Sequence, residues 1–194
     1  MSLLRPAATL VVGFTLILGL AVPAAFTQLA GALAPTRAGG SLIEREGRVI
    51  GSALIGQNFA EDRYFHPRPS ATSATGPEDS SKTVDAPYNA AAGAASQRGP
   101  SSQVLADAVQ ERVAEAGSAP VPADAVTSSG SGLDPDISPE NAARQVARVA
   151  RARGLSEERV RTILAENTAA PILGFFGAPR VNVLRLNLAL DAAR

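Results

Sequence analysis

The sequence predicts an α+β protein, with a single N-terminal transmembrane helix followed by one domain that holds a small sheet and about three helices. The run from Pro6 to Thr36 carries no charged side chain. Three later segments show helical periodicity with start and stop signals, and apolar strand-like segments lie outside any regular βαβ repeat. We therefore divide the chain into a tail and transmembrane helix at residues 1–36 and a domain at residues 37–194.

The uncharged run is long enough to be a retained membrane anchor. At about 1.5 Å per residue, it exceeds the roughly 30 Å of a hydrocarbon layer. The alternative is a cleaved secretory signal, with Arg5 as its basic start and Ala32-Leu33-Ala34 as its small-residue site. The apolar run is longer than a signal core, and cleavage would leave Pro35 at the new terminus. These features favour the anchor.

Pro23 and the flanking charges bear on how this helix sits in a membrane. Pro23 removes a backbone donor inside the span, which neighbouring helices can tolerate. The basic residues near the two ends are Arg5 on one side and Arg37, Arg45 and Arg48 on the other. By number alone they favour a cytoplasmic C-terminal side, although this rule weakens for long translocated domains. We expect the N-terminus inside and the long domain outside.

Composition excludes several classes of function. The chain has 18 basic and 18 acidic residues and therefore no net charge, which gives no electrostatic basis for binding nucleic acid. It has no Cys and a single His, so a zinc or iron site of the usual His/Cys type is excluded. Without Trp, the core must consist mainly of Ala, Val, Leu and Ile.

The first part of the domain alternates between extended and irregular segments. Ala34–Ser41 reads as a linker, because Pro and two Gly interrupt any helix. Arg48–Phe59 predicts a strand in which Gly51 and Gly56 mark a bulge or a close backbone approach. Tyr64–Ala71 is held extended by two prolines.

The next segments predict loops rather than regular structure. Thr72–Ala86 is rich in Ser, Thr, Gly and Pro, which predicts a surface loop. Val121–Pro139 is long and irregular, which is more typical of a functional segment than of a spacer.

Three helices are predicted in the rest of the domain. The first follows a Ser101 or Ser102 cap and ends at Gly117, the second runs from Ser138 to Gly154, and the third starts at Ser156 and stops before Pro171. Their expected buried faces are Leu105, Ala108, Val109, Val113 and Ala116 in the first, Ala143, Val146, Ala147 and Ala150 in the second, and Val160, Ile163 and Leu164 in the third. The chain then ends in a predicted strand, where Leu184, Leu186, Leu188 and Leu190 alternate with other residues.

Candidate chemistry is weak throughout. Asp134, Asp136, Ser138 and Glu140 alternate as in a calcium loop, but Pro139 stands where an EF-hand needs Gly, so turn and helix-entry roles are favoured. His66 with Ser70 would be the only route to a nucleophilic pair, and no G-x-S-x-G motif exists.

Phosphate and DNA binding are equally weakly supported. Gly130-Ser131-Gly132 lacks phosphate-loop spacing. The second and third helices resemble a helix-turn-helix. At the start of its recognition helix, however, Glu157 and Glu158 would meet the DNA phosphates with like charge. We interpret Arg144, Arg148 and Arg151 as a solvated or subunit-facing surface.

Several long motifs resemble those of one family, the C chain (KdpC) of the bacterial potassium-transporting P-type ATPase. In order along the chain they are G-S-A-L-I-G-Q-N-F from Gly51, Y-F-H-P-R-P-S-A from Tyr64, P-Y-N from Pro87, V-T-S-S-G-S-G-L-D-P-D-I-S-P from Val126, R-V-A-R-A-R-G-L from Arg148 and P-R-V-N-V-L-R-L-N-L-A-L-D from Pro179. The chain departs from the family at Gly93–Arg98, which reads G-A-A-S-Q-R instead of a Ser-Gly-Gly-Ser-Asn-Leu turn. The family also often has His where Asp136 stands.

The resemblance implies a single-pass protein of the cell membrane, with a cytoplasmic N-terminus and an extracytoplasmic C-terminal domain. It implies a non-catalytic accessory subunit of a high-affinity potassium uptake complex, which assists assembly and acts as a catalytic chaperone that raises the ATP affinity of the hydrolysing subunit. The implied partners are a potassium-channel-like subunit, a P-type ATP-hydrolysing subunit, a small hydrophobic peptide and membrane lipid, but no nucleic acid. ATP and potassium would be handled by the complex, with no cofactor or metal assigned to this chain. Consistent with this, the chain lacks the D-K-T-G phosphorylation signature of P-type pumps and the T-V-G-Y-G selectivity filter of potassium channels.

The resemblance also supplies candidate partner-contact residues. They are Gln57, Tyr64, Phe65, Arg68, Pro69, Ser70, Tyr88, Asn89, Ser129, Ser131, Asp134, Asn182 and Asn187. For helix packing in the membrane, the candidates are Gly13, Gly19 and Pro23. A membrane-anchored or secreted solute-binding protein is the alternative, and a hydrolase that uses His66 is a third possibility.

Overall fold

The computed structural model describes residues 3–117 and 120–193. They form two compact units, which divide between Ser52 and Ala53. Each unit is described by itself below. The predicted α+β class, with one N-terminal apolar helix, is confirmed.

The first unit begins with a helix long and apolar enough to cross a membrane. It runs from Leu4 to Leu33, and none of its most apolar stretch is buried inside the protein. It consists of α1 (Leu4–Leu16), a π-helical turn (Ile17–Ala21) and α2 (Val22–Leu33). Pro23 cannot donate to the carbonyl four residues back, and the wider π turn lies just before it. The distortion expected at this proline therefore takes the form of a π bulge.

A short helix and a hairpin complete the first unit. The predicted linker contains a one-turn helix, α3 (Pro35–Ala38), and is followed by antiparallel strands β1 (Leu42–Arg45) and β2 (Arg48–Ser52). The register shifts beside Gly51, where the sequence predicted a bulge. The predicted strand at Arg48–Phe59 is too long, because it ends at Ser52.

The second unit contains two small antiparallel sheets. Strands β3 (Ser73–Thr75) and β4 (Thr83–Asp85) form a hairpin inside the segment predicted as a loop. That prediction was wrong because Thr75 pairs with Thr83 and Ala74 with Val84, across the connection at residues 76–82. The second sheet has the order β5-β7-β6, from β5 (Asp136–Ile137), β6 (Thr168–Ala169) and β7 (Arg180–Asn182).

Five helices surround these sheets in the described part of the unit: α4 (Gln103–Ala116), α5 (Ala123–Val126), α6 (Pro139–Arg153), α7 (Glu157–Glu166) and α8 (Val183–Ala192). Two predicted caps are confirmed, since the hydroxyls of Ser138 and Ser156 accept the third N–H of α6 and α7 at 3.1 and 3.2 Å. The irregular segment at Val121–Pro139 contains both α5 and β5.

Helices α6, α7 and α8 carry the hydrophobic core. Its buried members are Phe65, Ile137, Ala142, Val146, Val149, Ala150, Val160, Ile163, Leu164, Val181, Val183, Leu186 and Leu190. The predicted face of α7 is confirmed. The predicted face of α6 was partly wrong, because Ala143 and Ala147 are exposed while Ala142 and Val149 are buried. Burying Val149 removes more apolar area from water than burying Ala147 would.

The C-terminal segment is a helix, not the predicted strand. Only residues 180–182 are extended, and α8 follows, with the Asn182 side chain accepting the Arg185 N–H at 3.1 Å. Val183, Leu186, Asn187 and Leu190 are buried at helical spacing. Alternating leucines also satisfy that spacing, so the prediction chose the wrong period.

Helix α4 was also predicted to have a buried face, but it has no buried residue. Val113 is exposed, and Leu105, Ala108, Val109 and Ala116 are only half-buried. Gly117 ends the helix in a left-handed conformation, as predicted.

Candidate functional site

The Pro-rich segment at Tyr64–Ala71 is fixed by two side-chain amides. Asn187 of α8 accepts the Phe65 N–H at 2.8 Å and donates to the Phe65 carbonyl at 3.0 Å. Gln145 of α6 does the same for His66, at 2.7 and 3.1 Å. Each side-chain amide therefore pairs with both the N–H and the carbonyl of one residue, as the backbone of a neighbouring strand would. Phe65 and Asn187 are fully buried, so they hold the segment in place rather than present a contact surface.

Arg68 links this segment to the loop before β5. Its guanidinium donates to Asp134 at 2.8 Å, and Asp134 also accepts the Asp136 N–H at 3.0 Å. The Tyr88 hydroxyl donates to the Arg68 carbonyl at 2.8 Å. Burial, and then the charge of Asp134, raise the pKa of Tyr88 far above its usual range, so the phenol stays protonated.

Ser70, Asn89 and Gly132 form the next layer of the same cluster. The Ser70 hydroxyl donates to the Gly132 carbonyl at 2.7 Å and accepts the Tyr88 N–H at 3.0 Å. Asn89 donates to the Ser73 carbonyl at 2.8 Å. Gly132 has φ +68°, and a Cβ there would lie 2.5 Å from the Ala94 carbonyl oxygen, so only glycine fits.

Ser129 and Ser131 brace this turn, since their hydroxyls accept the N–H groups of Gly132 and Leu133 at 2.9 and 3.1 Å. The glycine-containing stretch is thus a fixed turn. Gly56 approaches the cluster from the other side, because a Cβ there would clash with the Tyr88 ring and lie 2.7 Å from the Asp134 carbonyl. Its neighbour Gln57 is half-buried.

Two further motif residues bind elsewhere in the unit. Asn182 donates to the Ala53 carbonyl at 3.0 Å and to Asp136 at 3.2 Å. The guanidinium groups of Arg63 and Arg153 both lie near the Tyr64 ring, at 5.2 and 5.1 Å from its centroid. Both residues therefore join distant parts of the chain.

A cleft of about 750 Å³ opens between the Pro-rich segment, α4 and α6. Of the thirteen candidate partner-contact residues, Arg68, Pro69, Ser70 and Tyr88 line it. Its ionisable lining residues are the arginines Arg68, Arg112, Arg144 and Arg148, with His66, Tyr88 and one carboxylate, Glu115. The lining therefore carries more positive than negative charge, although Asp134 and Asp62 pair with Arg68 and Arg148 at 2.8 and 3.7 Å.

The only histidine, His66, lies in the lining of this cleft. Nε2 of His66 lies 3.1 Å from the Glu61 carbonyl oxygen and donates to it in the tautomer that carries the proton on Nε2. Burial, and then the charge of Arg148, lower the pKa of His66 below 6.5. The ring is therefore neutral at pH 7. Burial likewise lowers the pKa of Arg148.

The arrangement does not assemble the chemistry weighed from the sequence. The Ser70 hydroxyl is directed to the Gly132 carbonyl, and the His66 ring to Glu61, so the two do not form a nucleophile and base. Asp134 and Asp136 pair with Arg68 and Arg180, at 2.8 and 3.1 Å. Among residues 3–117 and 120–193, no group of three or more His, Cys, Asp or Glu could hold a metal ion.

The sequence did not identify most of the cleft. Arg144 and Arg148 line it, whereas Arg151 on the same helix is exposed. The spacing of four residues between Arg144 and Arg148 predicts that they share one helix face. No sequence signal indicates that Arg112 lies opposite that face.

A sequence model described as K+-transporting ATPase, c chain, matches residues 4–192. The chain belongs to the KdpC family. This confirms the resemblance inferred from the motifs, and the match covers both compact units of this KdpC-family chain.

Individual relatives are similar over almost their full lengths. A potassium-transporting ATPase KdpC subunit from Rhodopseudomonas palustris (strain BisB18) is 60% identical over 98% of this chain and 98% of its own. KdpC subunits from Bradyrhizobium diazoefficiens and Methylobacterium nodulans are each 58% identical, over 98% and 97% of this chain and 96% of their own.

Proposed function

We propose that the chain is a non-catalytic accessory subunit of a high-affinity, ATP-driven potassium uptake complex. The observation that carries the proposal is that the family match begins at residue 4 and so includes the apolar helix as well as the folded unit. Relatives similar along their whole length are named potassium-transporting ATPase subunits. The partners we propose are those of the family: a channel-like potassium subunit, an ATP-hydrolysing subunit and a small hydrophobic peptide.

The apolar helix is the proposed site of assembly in the membrane. Its large side chains are exposed along its length, for example Phe14 and Leu20 at 58% and 62%. A Cβ at Gly13 would meet nothing within 4 Å, so another helix could approach closely there. Gly19 lies within the π turn that precedes Pro23. We propose these three residues as helix-packing points.

The second unit is proposed to lie outside the cell membrane, with the N-terminus in the cytoplasm. The family resemblance supports this orientation, while the arginines after the helix weigh against it. Protease added to the outside of right-side-out vesicles should cleave the C-terminal region and leave the N-terminus intact. The reverse pattern contradicts the proposed orientation.

We further propose that the chain raises the ATP affinity of the hydrolysing subunit through the assembled complex rather than by holding potassium itself. The cleft is lined by four arginines and one carboxylate, and although Asp134 and Asp62 pair with Arg68 and Arg148, the remaining excess of positive charge opposes a bound cation. Coupling between separate sites requires only that ATP binding and this subunit favour the same state of the complex.

The cleft also favours one alternative, a membrane-anchored solute-binding protein. Its volume of about 750 Å³ falls within the range typical of small-molecule sites. Its arginines would select an anionic solute. Under this alternative the chain would function without the pump.

Exchange of the membrane helix tests the main proposal. Residues 4–33 are replaced with an unrelated single-span helix of equal length, which keeps the chain anchored. We expect the chain to stop co-purifying with the pump and the cells to lose growth in medium of low potassium concentration. Double substitution Gly13→Leu and Gly19→Leu should weaken co-purification in the same direction. Unchanged assembly and transport with the exchanged helix would refute the proposal.

His66 separates the alternative from the main proposal, because it is the only histidine and lines the cleft. Its ring resonances can be titrated by NMR in the full chain in detergent. An anionic solute bound in the cleft would raise the pKa of His66, whereas the main proposal requires no such shift. A strain that lacks the chain supplies the second criterion. Normal growth at low potassium would favour the solute-binding alternative, and loss of growth would favour the accessory subunit.

A further inference from the structure

The loop between β6 and β7 exposes an unusual amount of apolar surface. We call residues 171–177 the Phe175 loop; its sequence is P-I-L-G-F-F-G. Its large side chains are 62% exposed at Ile172, 79% at Leu173, 70% at Phe175 and 59% at Phe176. Clustered exposure of this kind marks a surface that another apolar phase covers.

Hydrogen bonds within the loop fix its backbone in the conformation that exposes these side chains. Ile172 and Phe176 exchange two hydrogen bonds of 2.9 Å, and the N–H groups of Gly174 and Phe175 donate to Pro171 and Ile172 at 3.0 and 3.3 Å. Leu173 and Gly174 have φ of 55° and 81°, which closes the turn. The loop therefore satisfies these backbone donors internally while its side chains point outward. A segment that enters a medium without water requires that satisfaction.

The charge pattern favours lipid over a polar protein surface. No charged residue lies between Glu166 and Arg180, so the loop has no ion to desolvate. Arg180 follows the loop at its base, 48% exposed and 3.1 Å from Asp136. An apolar tip above a basic residue is the pattern of segments that enter the membrane interface, where the arginine stays at headgroup level.

Covalent connection keeps this unit near a bilayer. Residues 34–52 alone separate the apolar helix from Ala53, the first residue of the second unit. Ala53 accepts a hydrogen bond from Asn182, which ends the strand that follows the loop. Such a short connection gives the loop a high effective concentration at the membrane surface, so weak insertion would suffice.

We propose that the Phe175 loop is a second membrane contact, which inserts Leu173, Phe175 and their apolar neighbours into the lipid of the leaflet nearest the second unit. It rests on the membrane anchoring stated above but not on assembly with the pump. An apolar pocket on a partner subunit is the competing occupant.

Tryptophan fluorescence tests the contact directly, because the chain has no Trp of its own. Three full-length variants are reconstituted without partners into phosphatidylcholine vesicles with or without brominated acyl chains. Phe175→Trp is the test, Phe14→Trp in the apolar helix is the positive control, and Val104→Trp on α4, where Val is 54% exposed, is the negative control. We expect blue-shifted emission from Phe175→Trp and a quenching loss close to that of Phe14→Trp, with no quenching of Val104→Trp.

Adding Leu173→Asp to Phe175→Trp should abolish the quenching, since the carboxylate opposes insertion. Quenching of Phe14→Trp alone would overturn the proposal while leaving the anchor intact. If Phe175→Trp shifts to the blue only after the pump subunits are added, the loop binds a protein pocket and the lipid proposal is wrong. If Phe14→Trp is not quenched, the anchor itself fails, which is a separate result.

Discussion

Helices α4 and α6 are similar in length and have equally clear end signals in the sequence, but they are held by different forces. Helix α6 buries five residues, and α4 buries none. Instead, Arg112 of α4 donates to the Val126 carbonyl at 2.9 Å, and Arg144 of α6 donates to the Ala116 carbonyl at 3.0 Å. Periodicity thus reveals an apolar face, but burial depends on whether another element covers it.

The difference matters for the cleft, because these two helices form its walls. The α6 wall is fixed to the core, while the α4 wall has no buried residue and is attached by half-buried apolar side chains and by the two arginine hydrogen bonds. A helix with few buried contacts opens at low free-energy cost. The cleft therefore has one wall fixed to the core and one wall that moves at lower free-energy cost.

A charge placed on each helix gives the largest expected contrast. Val146 of α6 is fully buried and Val113 of α4 is 39% exposed. Val146→Asp should destabilise the second unit by more than about 4 kcal/mol, because it buries an unpaired carboxylate. Val113→Asp should cost less than about 1 kcal/mol. Urea unfolding of the full chain in detergent, followed by circular dichroism, measures both, and equal losses would contradict the distinction.

A smaller effect is expected at the start of α6, where Asp124 holds the cap. Asp124 accepts the Ser138 N–H and hydroxyl at 2.8 Å each, and the Asn141 side chain at 3.1 Å. Burial raises the pKa of Asp124, but these hydrogen bonds outweigh it and the net pKa is below 3.8. Because the pKa is lowered in the folded state, the stabilisation is present at neutral pH and is lost as pH falls below about 4.

Asp124→Asn should therefore cost about 2 kcal/mol at pH 7 and progressively less in acid. Unfolding curves of both chains across pH 3 to 7, the range set by carboxyl titration, measure the difference. Ser102→Ala is the matched control on α4, because the Ser102 side chain makes no capping hydrogen bond, and it should change little. A pH-independent loss for Asp124→Asn would contradict the role of its charge.

Local signals predicted much of this fold, and tertiary contacts decided the rest. Ser138, Ser156 and Gly154 identified helix ends because the capping hydrogen bond itself joins residues close in sequence. The segment at Val183–Ala192 was misassigned because alternating leucines fit two periods, and packing against the core selected the helical one.

The candidate site shows the same contrast between what local sequence signals predict and what tertiary contacts decide. The sequence singled out Arg68, Ser70 and Tyr88 through family motifs, and these residues do meet. It could not predict that Arg112 faces them across a cleft, because that contact joins segments far apart in the chain.

The smallest predicted effect concerns the attachment of α4. Arg112→Met keeps most of the aliphatic stem but loses the hydrogen bond to Val126, which is worth about 1 kcal/mol. Amide exchange in α4 should speed up about fivefold, while exchange in α6 stays unchanged. Arg151→Met removes the same charge from an exposed position of α6 and serves as the control. If Arg112→Met instead accelerates exchange in α6 to the same extent, the two helices unfold as one unit, and α4 is as firmly coupled to the core as α6.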